Sequence, residues 1–223
     1  MDPVLVTLEL LGVFFSLVAC LCSLVTLMMP QWLTLNTELL PSENFQLGLW
    51  ETCVVQDFGA TECLPYTTLL GLPLDIRLAR ILMCTTVATG LLSLFFTIPG
   101  INLVNSCRRT DSFKAKRTLK MLGGIFSIIA GVLGLVPVSY VAHLTVLHFF
   151  DKNVPKVVPR WEFGDMLFLG WTAGCLHLAA GSLLVTSCLF SQDETCSLHQ
   201  SIALNRAHMK HPERSQRGRT EYV

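Results

Sequence analysis

Residues 46–55 read QLGLWETCVV. Apolar, β-branched and aromatic side chains fall there at close to alternating positions, the pattern of half-exposed strands. Residues 31–37, QWLTLNT, alternate likewise. Residues 57–60, DFGA, carry a glycine where two antiparallel strands must turn back. The stretch predicts a small antiparallel sheet. Residues 66–70, YTTLL, predict a short helix stopped by the breakers Gly71 and Pro73.

This segment lies between long apolar runs. Only 14% of the 223 residues are charged, against roughly 25% in an average soluble domain, and the mean hydropathy is +0.55. A helix needs about 20 mainly apolar residues to cross roughly 30 Å of hydrocarbon. Four stretches qualify: Leu8 to Met29, Leu78 to Val104, Met121 to Leu147 and Gly164 to Phe190. Met1 to Thr7 carries Asp2 and no Lys or Arg, and the apolar run after it outlasts a signal core, so the first span is expected to be retained. The expected architecture is mainly α: a four-helix transmembrane bundle carrying a small extracellular antiparallel sheet.

Charge sets the expected sidedness. The connector from Asn105 to Lys120 holds Arg108, Arg109, Lys114, Lys116, Arg117 and Lys120 against the single acid Asp111. The tail after Phe190 adds Arg206, Lys210, Arg214, Arg217 and Arg219, so 11 of the 16 basic residues share one side. Cationic loops stay in the cytoplasm. Both termini are then cytoplasmic, and two loops face outward, residues 30–77 and 149–163. The nine cysteines fit this topology, since disulfides persist outside the cytosol. Only Cys53 and Cys63 lie outside, and a bridge closing so short a loop stabilises by about 2–3 kcal/mol.

Trp32, then Gly48-Leu49-Trp50, then Cys53 and Cys63 in a first outer loop, with Arg80 in the run ARILM beyond it, resemble the claudin signature. The likeness extends over roughly Leu8 to Phe190. It includes VPVSYV at 136–141, where many claudins have tryptophan in place of Tyr140, the triplet Glu162-Phe163-Gly164, LFLGW at 167–171, and the terminal Tyr222-Val223. The resemblance implies a tight-junction adhesion protein that polymerises into strands and governs paracellular permeability as a barrier or an ion-selective pore. It implies partners in itself and other claudins, in the same and the opposing membrane. The wider superfamily admits a second reading, an auxiliary subunit or trafficking partner of a channel or receptor. A short second outer loop and the Tyr-Val ending favour the first.

The resemblance also assigns roles. Trp32, Gly48, Leu49, Trp50 and Arg80 tie the sheet to the outer end of the bundle, though tryptophan also collects at headgroup level in any membrane protein. First-loop side chains line the family's pores, where a charge attracts the opposite sign in a poorly screened passage. The expected pore-facing residues are Gln56, Asp57 and Leu64. Gln56 and Leu64 are neutral where channel-forming relatives often carry charge, yet the loop as a whole holds Glu38, Glu43, Glu51, Asp57, Glu62 and Asp75 against Arg77. Phe149, Phe150 and Phe163 are expected to form a pocket that takes Leu69 of a neighbouring subunit. Asp151-Lys152 stands where several claudins have Asn-Pro. Thr220-Glu221-Tyr222-Val223 suits capture by a PDZ scaffold, which adds the peptide as an edge strand and binds its carboxylate. Cys107, Cys188 and Cys196 lie where palmitoyl chains attach.

Small residues recur every fourth position, at Gly12, Ser16 and Cys20, at Ser127 and Gly131, at Ala130 and Gly134, and at Gly170 and Gly174. Such stripes let helices approach closely, and packing within the bundle accounts for them. His177, near the middle of the fourth span, reads as a neutral histidine hydrogen-bonded between helices in preference to a proton relay, since no mid-membrane carboxylate is there to exchange with. No metal-ligand spacing, nucleophile elbow, phosphate loop or catalytic carboxylate pair appears, so no enzyme, cofactor or nucleic-acid partner is expected. Residues 191–223 read as a polar, basic, disordered cytoplasmic tail.

Overall fold

In lipid a helix gains nothing by hiding large apolar side chains, so small and polar residues turn inward to let backbones meet. The computed structural model follows that rule; it describes residues 3–36, 43–56, 60–66, 74–100, 112–150 and 161–216, without the side chains of 36, 43, 112–114 and 191–216. Helix α1 (Pro3–Met28) buries Gly12, Ser16, Ala19, Cys20, Ser23 and Thr26, and α2 (Leu74–Gly100) buries Ala79, Thr86, Gly90, Ser93 and Thr97. Outward stand Phe14, Leu21, Leu91 and Phe95. With α3 (Ser112–Phe149) and α4 (Asp165–Gln216), four helices are long and apolar enough to cross a membrane.

The bundle is tightest between α3 and α4. A Cβ at Gly181 would lie 2.7 Å from the carbonyl oxygen of Gly124, and one at Gly131 would lie 2.9 Å from that of Gly174. Ser93 and Ser127 donate across helices to the carbonyls of Gly123 and His177, each at 2.8 Å. Polar side chains therefore join the helices in a medium that offers them no water.

Five antiparallel strands form the sheet: β1 (Leu33–Asn36), β2 (Glu43–Leu47), β3 (Glu51–Gln56), β4 (Thr61–Pro65) and β5 (Trp161–Phe163), in the order β4-β3-β2-β1-β5. Registers of Leu33 with Leu47 and Phe163, and of Leu35 with Phe45 and Trp161, put these apolar residues on one face. At its β1 end the sheet meets the core of Leu27, Trp32, Leu49, Ala79, Met83, Val138, Ala142 and Leu167, against which Phe163 packs.

Several expectations change. The run 46–55 is not one alternating segment: β2 already starts at Glu43, and Gly48-Leu49-Trp50 turns the chain into β3. The second outer loop supplies a strand, β5, which joins it to the first loop through β1. Helix α2 starts at Leu74, earlier than the apolar count suggested, because Pro73 precedes it and Asp75 favours a first turn. The segment 191–216 is helical as a continuation of α4, where a disordered tail was expected. Residues 191–211 contain no glycine or proline and are rich in helix formers, so nothing local stops the helix at the membrane edge. The expected turn at 57–59 and most of the expected helix at 66–70 lie outside the described residues.

Candidate functional site

Helix α1 ends with carbonyls that have no intrahelical partner. Met29 N–H donates to Val25 O at 3.0 Å, the Trp32 indole N–H donates to Thr26 O at 2.8 Å, and the Trp50 indole N–H donates to Leu27 O at 2.9 Å. Two tryptophans from the sheet segment thus cap the helix. The backbone of the same residues does further work. Trp32 N–H donates to Leu47 O, Gly164 N–H donates to Trp32 O, and Met166 N–H in the first turn of α4 donates to Gln31 O. Residues 31–32 therefore join the end of α1, the edge of β2 and the start of α4.

Two glycines make this junction possible. A Cβ at Gly48 would come within 2.4 Å of Pro30 Cα, and one at Gly164 within 2.1 Å of Gln31 O. No side chain fits at either place. Arg80, buried on α2, donates through Nε at 3.0 Å and through a second guanidinium nitrogen to Leu49 O, in the turn between β2 and β3. Its guanidinium also lies 4.4 Å from the Trp50 ring centroid and 6.0 Å from that of Tyr66. Tyr66 OH and Thr52 Oγ1 are hydrogen-bonded at 2.9 Å, which ties the end of β4 to β3. Sequence reasoning missed Tyr66. Its place two residues after Leu64, at the end of the disulfide-bound hairpin, was the available signal.

Cys53 and Cys63 are disulfide-bonded, their Cα atoms 4.0 Å apart in directly paired positions of β3 and β4. Glu51 lies near these sulfurs, but a disulfide offers no thiolate to a metal. Thr52 faces Leu64, Val54 faces Glu62, and Glu43 faces Gln56, so Leu64, Glu62, Val54 and Gln56 share one sheet face. Leu64 is 77% exposed there. The exposed acid Glu62 on that face was not singled out from the sequence. Asp57 lies outside the described residues.

Phe149, Phe150 and Phe163 come together around a pocket of about 300 Å³, with Thr145, Val146, Trp161 and Glu162 completing its wall. Leu69, Cys107, Tyr222 and Val223 lie outside the described residues, as does the side chain of Cys196. Cys188, expected as an acylation position, is 1% exposed and its thiol points at Arg117 O on α3. It is a packing residue that an acyl-transfer enzyme would not reach.

A second polar centre lies at the other end of the bundle. Lys120 of α3 and Glu9 of α1 form a buried ion pair, and Ser187 of α4 donates to the same Glu9 oxygen at 3.4 Å. Sequence reasoning left Glu9 unassigned and counted Lys120 only among the basic residues that set sidedness. Each stands near the inner end of an expected span, which is where an intramembrane charge calls for a partner. His177 is wholly buried with its ring beside Gly90 of α2, and neither ring nitrogen has a hydrogen-bond partner among the described residues, where an interhelical hydrogen bond was expected.

Residues 6–184 match the family described as PMP-22/EMP/MP20/Claudin. The chain is 35% identical over 184 residues to Claudin-2 of Canis lupus familiaris, which covers 81% of this chain and 78% of that relative. It is 34% identical to Claudin-3 of Homo sapiens, over 81% of this chain and 82% of the relative. Claudin-2 of Homo sapiens is 33% identical over 81% and 78%.

Arg80→Met keeps the apolar stem and removes both hydrogen bonds to Leu49 O. Bonds from a charged donor contribute about 1.5–3 kcal/mol, so the variant is expected to unfold at clearly lower temperature in detergent, with its Cys53–Cys63 bridge still formed. An unchanged unfolding temperature would mean that Arg80 only rests at the membrane edge.

Proposed function

The chain belongs to the PMP-22/EMP/MP20/Claudin family, and on that premise we propose that it is a tight-junction protein that polymerises into strands and controls what passes between cells. The claudin names of the relatives favour this reading over an auxiliary subunit. One observation carries it: a disulfide-bound five-stranded sheet is hydrogen-bonded to the ends of α1, α2 and α4, and so is held rigidly on one end of the bundle. A rigid surface standing off the membrane can meet a matching surface with little loss of freedom on contact. The mechanism is apposition. Both termini are cytoplasmic in this reading, which the basic residues Lys116, Arg117 and Lys120 in the first turns of α3, at the end of the bundle away from the sheet, support.

Side-by-side assembly uses the Phe149, Phe150 and Phe163 pocket, whose apolar wall receives an aliphatic side chain such as Leu69 of a neighbour. The contact is head-to-tail and propagates without closing, as a strand requires. Toward the cytoplasm, Tyr222-Val223 engages PDZ scaffolds and Cys107 and Cys196 are acylation positions.

Charge on the exposed sheet face decides the ions that pass. Gln56 and Leu64 leave that face without the charges their positions often carry, and Glu62 stands between them in register with Val54. It makes the face cation-preferring, although salt screens an exposed charge beyond about 8 Å.

Expression in cells that lack junction strands tests the main reading. Freeze-fracture is expected to show contact-enriched strands, alone or with a second claudin; their absence in both cases would refute it. In an epithelial layer forming such strands, Glu62→Gln is expected to reduce the sodium-to-chloride permeability ratio by about two- to fivefold, the size of one charge interaction near water. An unchanged ratio would remove Glu62 from the permeation path. Deleting Tyr222 and Val223 is expected to abolish pull-down by PDZ scaffolds while surface delivery persists, and retained pull-down would contradict that assignment.

A further inference from the structure

Beneath the sheet a cavity of about 290 Å³ opens between the apolar residues of β1 and β2 and the outer turns of α2 and α3. Its depth follows from the helices: Asp75 and Ile76 stand in the first turn of α2, and Val141 to His148 form the last two turns of α3. This is headgroup level in a membrane-spanning bundle.

The lining is chemically selective. Trp32 and Trp161 contribute aromatic surface, and aliphatic side chains make up most of the rest. The Trp32 indole N–H is already given to Thr26 O, so the nearly buried ring brings no donor to the cavity. Thr145 Oγ1 donates to Val141 O at 2.9 Å, and His148 Nδ1 is hydrogen-bonded to Leu144 O at 2.9 Å. Asp75 is the one acidic lining residue among those described, and neither lysine nor arginine joins it. Tyr140 OH donates to its Oδ1 at 2.9 Å, which holds the carboxylate in place.

An anionic ligand would meet a carboxylate, and the donors of Trp32 and Thr145 and the Nδ1 of His148 are engaged elsewhere. A primary ammonium carries three N–H groups to satisfy, and the only carboxylate already accepts one bond. A trimethylammonium group has none to satisfy. Its methyl surface is apolar, and its charge is attracted both to aromatic faces and to a carboxylate. The volume equals roughly ten waters at about 30 Å³ each, enough for such a headgroup and too small for a whole lipid, whose acyl chains would stay in the bilayer.

We propose that this cavity holds the trimethylammonium end of a choline phospholipid, drawn from the membrane leaflet on the sheet's side. The site rests on the proposed outward placement of the sheet, in the leaflet opposite the anionic cytoplasmic one. It does not depend on strand formation. A lipid headgroup seated there fills the space between the sheet and the α2–α3 end.

The test uses the full chain, stripped of lipid in an uncharged maltoside detergent and offered phosphatidylcholine, phosphatidylethanolamine and phosphatidylglycerol with identical acyl chains. Native mass spectrometry is expected to show phosphatidylcholine retained about tenfold over the other two. Asp75→Asn and Trp161→Leu are each expected to bring that preference close to one, with the disulfide and the helical circular dichroism intact. Equal retention of the three lipids would make the cavity an acyl-chain slot and overturn the proposal. A preference for the glycerol or ethanolamine headgroup, or an undiminished choline preference in Asp75→Asn, would overturn it too. The wild-type comparison decides the matter even if the variants fail to fold.

Discussion

A helix that stops at the edge of a membrane leaves its last carbonyls unpaired where water is scarce, and each one left so costs several kcal/mol. Here the carbonyls of Thr26 and Leu27 are taken by the indole N–H groups of Trp32 and Trp50. Because those tryptophans belong to the sheet segment, closing the helix and docking the sheet are one event. The remaining features of the outer end follow from that geometry. Pro30 must pass over Gly48, Gln31 must pass against Gly164, and Arg80 must reach the carbonyl of Leu49 that the turn presents. The strand β5 then pairs with β1 directly before Gly164, so the segment that carries β5 is fixed by Gln31 and Trp32, the second of which also caps α1.

Within the bundle, polarity is turned inside out relative to a protein in water. Serines, threonines and glycines meet between helices while phenylalanines and leucines face lipid. Specificity comes from close backbone approach and interhelical hydrogen bonds, since apolar burial supplies little between helices in lipid. The Glu9–Lys120 pair adds a stronger constraint, because either charge alone would be buried without compensation in a low-dielectric interior. The sheet end of the bundle and the opposite end are thus each defined by a charged side chain reaching across elements, Arg80 at one and Glu9 with Lys120 at the other.

Much of this was legible in the sequence, for reasons that are local. Apolar runs of sufficient length announce membrane helices, and basic residues around Arg108 to Lys120 suggest an orientation. Two cysteines within the one long loop between the first two spans announce their bridge. Alternation at Leu47, Leu49 and Val54 announced strands, but it could not show that Gly48 to Trp50 is a turn, because a tight turn preserves an apolar rhythm by accident. Strand β5 has only three residues, one of them Glu162, and pairs with a segment more than a hundred positions away. No local pattern encodes that. The helical course of residues 191–216 was hidden by their polarity, which says what surrounds a backbone and little about its shape. The burial of Cys188 was equally hidden, since a cysteine near a membrane edge reads the same whether it faces lipid or a neighbouring helix. The claudin resemblance supplied the tryptophans, glycine and arginine of the junction, and the structure supplied the atoms they hold.

The account stands or falls on the two indole N–H groups. Hydrogen exchange of a Trp32→Phe, Trp50→Phe double variant measures them most directly, because phenylalanine keeps an aromatic ring in each place and removes only the donor and part of the bulk. The expected result is loss of protection in β1 and β2 and at the end of α1, with α2 to α4 protected as before. Wild-type protection of β1 and β2 in that variant would show that packing alone seats the sheet, and would contradict the account.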